Sequence, residues 1–198
     1  MKSPNAVRGI AAGVIVLLCG AAFSGINLLR NGDFERFTGD EPDGWTTTNI
    51  PKALTVVSPT TKAHSGKYAV KCEVKSFYGS QMAGMITQKN IRVSGTALEL
   101  KGEYVLNSVG KDAGFITLEL QSSEGSTVKI CQEYLSPHGG EYAAFQVSGD
   151  IPPAAVKAEI RVTLLPAKES ERLHEGSYLL LDDLVLSGIV AEGDVLPE

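Results

Sequence analysis

The chain has 198 residues, a length that fits one folded domain with a hydrophobic core. Its formal net charge is −5, and no stretch concentrates Lys and Arg. An acidic chain without a basic cluster is excluded as a binder of nucleic acid or of anionic membrane surfaces, which leaves neutral ligands and cations as partners.

Residues 1–24 have the pattern of a secretory signal peptide. Lys2 and Arg8 precede an uncharged apolar run, and Ala22-Phe23-Ser24 has the small-x-small form of a cleavage site. The run is short for a bilayer span, and a retained anchor is the alternative interpretation. We therefore predict a secreted or periplasmic protein without membrane association after cleavage.

Cleavage after Ser24 leaves 16 basic and 23 acidic side chains, a net charge of −7. We predict that residues 25–190 fold as one β-sandwich domain and that the acidic tail, residues 191–198, frays.

Beyond the signal peptide, the sequence consists of short apolar runs that alternate with polar residues and are separated by Gly, Ser and Pro turns. No convincing amphipathic helix is present. Several short strands at this spacing predict an all-β sandwich. The predicted strands are Ala53–Val57, Tyr68–Val74, Met85–Val93, Tyr104–Val109, Phe115–Gln121, Val128–Leu135, Tyr142–Val147, Val156–Leu164 and Leu179–Leu186.

Two connections between these strands carry further expectations. Ser76–Gly84 is predicted as a loop that exposes aromatic side chains, and Lys101-Gly102 as a turn that precedes the strand at Tyr104. Trp45, the only tryptophan, follows an Asp43-Gly44 turn that delivers it into an apolar neighbourhood.

Two cysteines remain after processing. Cys72 shares a strand face with Val70 and Val74, which is typical of a small buried hydrophobic residue. An oxidising compartment would also permit a disulfide between Cys72 and Cys131, so both interpretations stay open.

Acidic side chains lie beside strand residues near both ends of the predicted domain. Glu35 follows Phe34, and Asp182 and Asp183 interrupt a run of leucines that contains no Lys or Arg. Carboxylates in apolar surroundings must be paired, hydrogen-bonded or bound to metal. We predict that a hard cation, calcium, joins the first strand to the last.

The order of four short motifs resembles that of the carbohydrate-binding modules of families 4, 9 and 22. The motifs are Asn-Gly-x-Phe-Glu (31–35), Asp-Gly-Trp (43–45), His-Ser-Gly-Lys-Tyr-Ala-Val (64–70) and the leucine-rich segment 178–186. The resemblance spans Asn27–Ser187. It implies a jelly-roll sandwich of two antiparallel sheets, of the galactose-binding-domain type, that binds a polysaccharide or glycan.

The same resemblance implies a set of calcium ligands. By position these are the carbonyl group of Asp33, the carboxylates of Glu35 and Asp182, and the carbonyl group of Gly66 or Lys67. Calcium takes six to eight oxygen ligands, so further carbonyl groups and water would complete the shell. Trp45 matches a tryptophan that is usually in the core of the family.

In such modules sugars stack on aromatic rings while amides, carboxylates or guanidinium groups hold the hydroxyls. We therefore predict a glycan site on one sheet face or in its edge loops. Its candidate residues are Phe77, Tyr78, Gln81, Asn107, Glu119, Gln121 and Arg161, with Tyr134 and Tyr142 as alternative aromatics.

The sequence contains no nucleophile-elbow, zinc-protease or phosphate-loop motif, so we expect no enzymatic activity. Glu119 and Glu159 could be imagined as a glycosidase pair, although exposed alternating glutamates are ordinary on a sandwich. The alternative function is a structural or adhesive protein of the cell envelope or exterior, in which the sandwich binds protein or assembles with itself.

Overall fold

A computed structural model describes residues 26–137, 140–168 and 171–189. The predicted signal peptide and the acidic tail lie outside these residues. The described residues form thirteen strands: β1 (Phe37–Thr38), β2 (Glu41–Pro42), β3 (Thr46–Thr47), β4 (Val57–Thr60), β5 (Ala69–Phe77), β6 (Ser80–Ala83), β7 (Ile86–Arg92), β8 (Ala97–Asn107), β9 (Ala113–Gln121), β10 (Thr127–Leu135), β11 (Ala143–Asp150), β12 (Lys157–Leu165) and β13 (Tyr178–Ile189).

The strands form two main antiparallel sheets. One has five strands in the order β10-β9-β12-β7-β3, and the other contains β11-β8-β13-β5-β4 with β6 paired to β5. Strands β1 and β2 form a separate short ribbon. The prediction of an all-β jelly-roll sandwich is confirmed. No helix among the described residues is long and apolar enough to cross a membrane.

The core lies between the two sheets because period-two alternation turns one side of each strand inward. On β9, Ile116, Leu118 and Leu120 are fully buried. Trp45 is buried against Phe34, with ring centroids 5.4 Å apart, as predicted for a core tryptophan.

The two ends of the domain are joined by hydrogen bonds. Leu28 N donates to the carbonyl group of Leu186 at 2.9 Å, and Leu184 N donates to that of Gly32 at 2.8 Å. The Asn27 amide group also bonds both the carbonyl group of Leu184 and the N–H of Leu186. The opening segment therefore lies along β13, as the calcium prediction required.

Three predicted boundaries are wrong. The Lys101-Gly102 turn lies inside β8, where Gly102 pairs with Phe145. A Cβ at Gly102 would overlap Leu184, so the glycine marks a close approach of packed side chains and not a turn. The strand predicted at Ala53–Val57 begins at Val57 instead, because the Asn49 side chain accepts hydrogen bonds from the N–H groups of Val56 and Val57.

The third correction concerns Ser76–Gly84, which is a tight hairpin of β5 and β6 and not a loop. Phe77 pairs with Ser80, so Tyr78 and Gly79 alone form the tip. Both have positive φ, 47° and 80°.

Cys72 and Cys131 are free thiols in the structure. Burial raises the pKa of the Cys72 thiol to about 12. Cys131 lies on edge strand β10, and a Cβ at Gly149 of β11 would meet its Sγ atom.

Candidate glycan-binding face

The outer face of the five-stranded sheet carries three of the predicted site residues. Glu119 and Gln121 lie on β9, and Arg161 lies on the adjacent strand β12, where it pairs with Thr117. All three alternate with core residues and therefore point away from the core. The structure brings Glu119, Gln121 and Arg161 together on one surface.

Hydrogen bonds fix the polar side chains of this face. Glu119 Oε1 accepts from Gln121 Nε2 at 3.0 Å and from the Thr127 hydroxyl at 2.5 Å. Glu159, only 6% exposed, binds Arg161 Nη2 at 2.6 Å and lies 3.6 Å from Lys89 Nζ. The two glutamates are cross-strand partners, and each has its own donors.

Hydrogen bonds from Thr127 and Gln121 hold the pKa of Glu119 below its usual range. A lowered pKa means that ionised Glu119 stabilises the fold above the unfolded-state pKa and that this contribution is lost as pH falls through the folded-state pKa. We expect Thr127→Val to raise the pKa of Glu119 towards its ordinary value, as measured by NMR titration of the carboxyl carbon. An unchanged titration would show that the hydroxyl does not stabilise the carboxylate.

An aromatic pair lies at one end of the same face. Phe115 of β9 and Tyr134 of β10 are cross-strand partners with ring centroids 4.7 Å apart. Tyr134 is 61% exposed, so its ring is available to stack on a ligand. Phe115 was not among the predicted site residues, and Tyr134 was only an alternative. The signal was available, because Phe115 lies an even number of residues from Glu119.

The predicted residues Phe77, Tyr78 and Gln81 are grouped at the β5–β6 hairpin. Tyr78 is 94% exposed, and its ring lies 4.5 Å from that of Phe77. The positive φ of Tyr78 and Gly79 is the conformation that a two-residue hairpin turn requires. Gln81 lies beside a groove of about 310 Å³ that Arg172 and Leu173 also line.

The hairpin joins the face near its aromatic end. The Thr163 hydroxyl donates to the carbonyl group of Gly84, directly after β6, and Thr163 is the cross-strand partner of Phe115. The hairpin and the aromatic pair are therefore two candidate stacking platforms at the same end of the sheet.

Asn107 does not belong to this face. It ends β8 in the other sheet, where its amide nitrogen lies 3.5 Å from the carbonyl oxygen of Gly176. Tyr142 also lies away from the face, and its hydroxyl donates to the carbonyl group of Lys62 at 2.7 Å.

The predicted calcium residues meet at one turn, residues 64–68. Glu35 Oε1 accepts from the N–H groups of Lys67 at 2.7 Å and Tyr68 at 3.0 Å. A Cβ at Gly66 would overlap that oxygen, and the φ of Gly66 is 62°. Asp33 is exposed in the turn that precedes Glu35.

Asp182 approaches the same turn from β13. It is fully buried, and its Oδ2 accepts from the N–H groups of His64 at 2.8 Å and Ser65 at 3.1 Å. Its Oδ1 accepts from Asp183 N at 2.8 Å. Burial raises the pKa of Asp182, and these three donors oppose the rise. The neighbouring Asp183 carboxylate bonds the side chains of Ser65 and His64 in the same turn.

The donor set at this turn fits calcium only in part. Both carboxylates are present. However, backbone N–H groups donate hydrogen bonds to three of their four oxygens, which are the atoms that a calcium ion would need as ligands. In the part of the chain that the structure describes, no group of three or more His, Cys, Asp or Glu side chains could hold a metal. The buried charge of Asp182 is thus satisfied by three N–H donors.

No family model matches the sequence, and no curated protein matches it. Solved structures do match. The enzymatically active domain of tailspike protein 4 from bacteriophage CBA120 has a TM-score of 0.61 and 17% identity over 83% of this chain, which spans 22% of that chain.

Two carbohydrate-binding modules match over almost their full length. A family 61 module in complex with β-1,4-galactotriose has a TM-score of 0.56 and 16% identity, covering 81% of this chain and 97% of its own. A family 16 module has a TM-score of 0.54 and 16% identity, covering 81% of this chain and 99% of its own. At these identities the matches establish the fold, which is a jelly roll of the carbohydrate-binding-module type.

Proposed function

We propose that the protein is an exported, non-catalytic carbohydrate-binding protein that holds a polysaccharide or glycan along the outer face of the five-stranded sheet. The observation that carries this proposal is the Phe115–Tyr134 pair with the fixed donor Arg161 in the next row of side chains and the fixed donor Gln121 farther along the same face. Rings that stack on sugar C–H groups, with donors aimed at hydroxyls, form the usual sugar site. Support for export comes from the sequence of residues 1–24.

The network of the face supports binding because it fixes side chains before a ligand arrives. Glu159 orients Arg161, and Glu119 orients Gln121. A side chain that is already ordered loses less entropy on binding, so more of each hydrogen bond contributes to affinity. The exposed ring of Tyr134 supplies the apolar contact.

The same network supports a non-catalytic role. A glycosidase needs one carboxyl group protonated as a general acid while the other remains ionised. The lowered pKa of Glu119 favours its ionised form, and Glu159 binds two cations. Neither glutamate has the environment of a general acid.

Affinity electrophoresis of the mature chain against a panel of soluble polysaccharides tests the proposal. We expect retardation by at least one polymer and saturable binding of its oligosaccharides in calorimetry. Migration unchanged by every polymer, together with no calorimetric signal, would reject the proposed function.

Self-assembly is the competing function, and edge strand β10 is where it would occur. This strand exposes Val128 and Ile130. However, Lys129 and Glu133 lie on its core-facing side, as partners of Leu120 and Ile116, and the pairing register shifts at Val128. Inward charges and bulges are devices that prevent edge pairing, so these features favour a ligand-binding role over assembly.

We also propose that calcium binds at the turn of residues 64–68. The proposal is supported by the two carboxylates, Glu35 and Asp182, that both contact this turn. The N–H groups of the turn are the alternative partners of these carboxylates. A cation that binds only the folded state adds stability by mass action. We expect a chelator to lower the melting temperature and excess calcium, but not magnesium, to restore it. A melting curve that is unchanged in chelator would leave the N–H donors as the only partners.

A further inference from the structure

Four rows of side chains cross the candidate glycan-binding face, and the row farthest from the aromatic pair is basic. Lys157 of β12 pairs with Arg92 of β7 on one side and with Gln121 of β9 on the other. Thr127 of β10 completes the row as the partner of Gln121. Arg92 and Lys157 therefore lie directly opposite each other.

Like charges that are direct cross-strand partners destabilise a sheet. On this face the other two cations, Lys89 and Arg161, both form an ion pair with Glu159. Within residues 26–137, 140–168 and 171–189, no carboxylate forms an ion pair with Arg92 or Lys157. The fold thus retains a repulsive pair that nothing described in the protein offsets.

The charge of this face also differs in sign from that of the chain. The chain as a whole has a net charge of −5. The strands β7, β9 and β12 direct four cations and two carboxylates outward, a net charge of +2, from Lys89, Arg92, Lys157, Arg161, Glu119 and Glu159. A positive face attracts anionic ligands.

Arg92 and Lys157 both line a groove. Its volume is about 370 Å³, and Arg92, Ser94 and Lys157 line it together with Val93 and Val156. Lys157 and Thr163, which lies at the aromatic end, are six positions apart on β12, roughly 20 Å at the rise of a strand. A ligand that contacts both ends must be an oligomer or a polymer.

We infer that the glycan held by this face is anionic and that Arg92 and Lys157 form the subsite for a sugar carboxylate or sulfate. The inference rests on the proposed function, since it names the substrate class of the same face. Guanidinium and ammonium groups bind both kinds of oxyanion by charge-assisted hydrogen bonds. The shared chemistry is a negatively charged polysaccharide.

Matched polymer pairs test this inference by calorimetry at low and high salt. Polygalacturonate is compared with its fully methyl-esterified form, and dextran sulfate is compared with dextran. We expect the charged member of at least one pair to bind tenfold or more tightly, with an affinity that falls as salt rises. The pair that responds identifies carboxylate or sulfate as the recognised group.

The double variant Arg92→Gln/Lys157→Gln is expected to lose at least tenfold in affinity for the charged polymer. A variant with the same change in charge off the face, Lys62→Gln/Lys75→Gln, should retain wild-type affinity. Equal binding of charged and neutral members would overturn the inference and leave the proposed function intact. Equal losses in both double variants would overturn the subsite, and binding of no glycan would reject the proposed function itself.

Discussion

Replacing Asp182 with Ala is expected to lower the free energy of unfolding by about 4 kcal/mol. Asp182 is fully buried and accepts hydrogen bonds from the backbone N–H groups of His64, Ser65 and Asp183. Hydrogen bonds to a charged group contribute about 1.5–3 kcal/mol each, and three that share one acceptor are not additive. Urea denaturation measures the loss, which corresponds to a drop of about 10 °C in melting temperature.

Asp183→Asn is the matched control, one residue away on β13. The Asp183 carboxylate bonds the side chains of Ser65 and His64, and the φ of Asp183, 50°, is one that Asn tolerates. Loss of a partly exposed ion pair should cost less than about 1 kcal/mol. Wild-type stability in Asp182→Ala would show that the turn of residues 64–68 does not depend on the carboxylate.

The role of Asp182 illustrates how far sequence reasoning reached. A buried carboxylate in a leucine run requires a partner, which the sequence showed, and the resemblance to carbohydrate-binding modules implied the turn that supplies it. It could not identify the donors, because every residue carries an N–H group and only the backbone path aims them. A bound cation was therefore the partner that the sequence predicted for the buried carboxylate.

The fold was predictable because alternation reports which side of a strand faces the core. In the predicted strand Phe115–Gln121, alternation places Ile116, Leu118 and Leu120 on one side, which is the buried one, and Glu119 and Gln121 on the other. Alternation does not report which sheet a strand joins, so Asn107 was grouped with a face to which it does not belong.

The aromatic pair required a further piece of information, the register between neighbouring strands. Tyr134 and Phe115 are nineteen positions apart in the sequence, and the turn between β9 and β10 decides that they are partners. A shift of one residue would move Tyr134 to the core side of the sheet. The bulge at Val128 shifts the register, so the partner of Tyr134 could not be found by counting residues from the turn.

Replacing Tyr134 with Ala is expected to weaken glycan binding by about ten- to a hundredfold while changing stability little. The ring is 61% exposed, so its removal leaves no buried cavity. A loss of about 1.4–2.8 kcal/mol is typical of an aromatic residue that anchors a ligand. Calorimetry with the best ligand of the polysaccharide panel measures the change, and Tyr134→Phe should bind nearly as well as wild type because it keeps the ring.

Tyr78→Ala is the matched comparison, since Tyr78 is also an exposed tyrosine near the same end of the sheet but on the β5–β6 hairpin. We expect a change of less than about threefold, because the Phe77–Tyr78 pair at the hairpin tip has no hydrogen-bonded donor like Arg161 beside it among the described residues. The reverse result, with Tyr78→Ala abolishing binding and Tyr134→Ala neutral, would move the glycan from the sheet face to the hairpin. The side chains of the face would then have to be explained by packing alone. Packing does not account for a ring that is 61% exposed or for two cations that lie opposite each other.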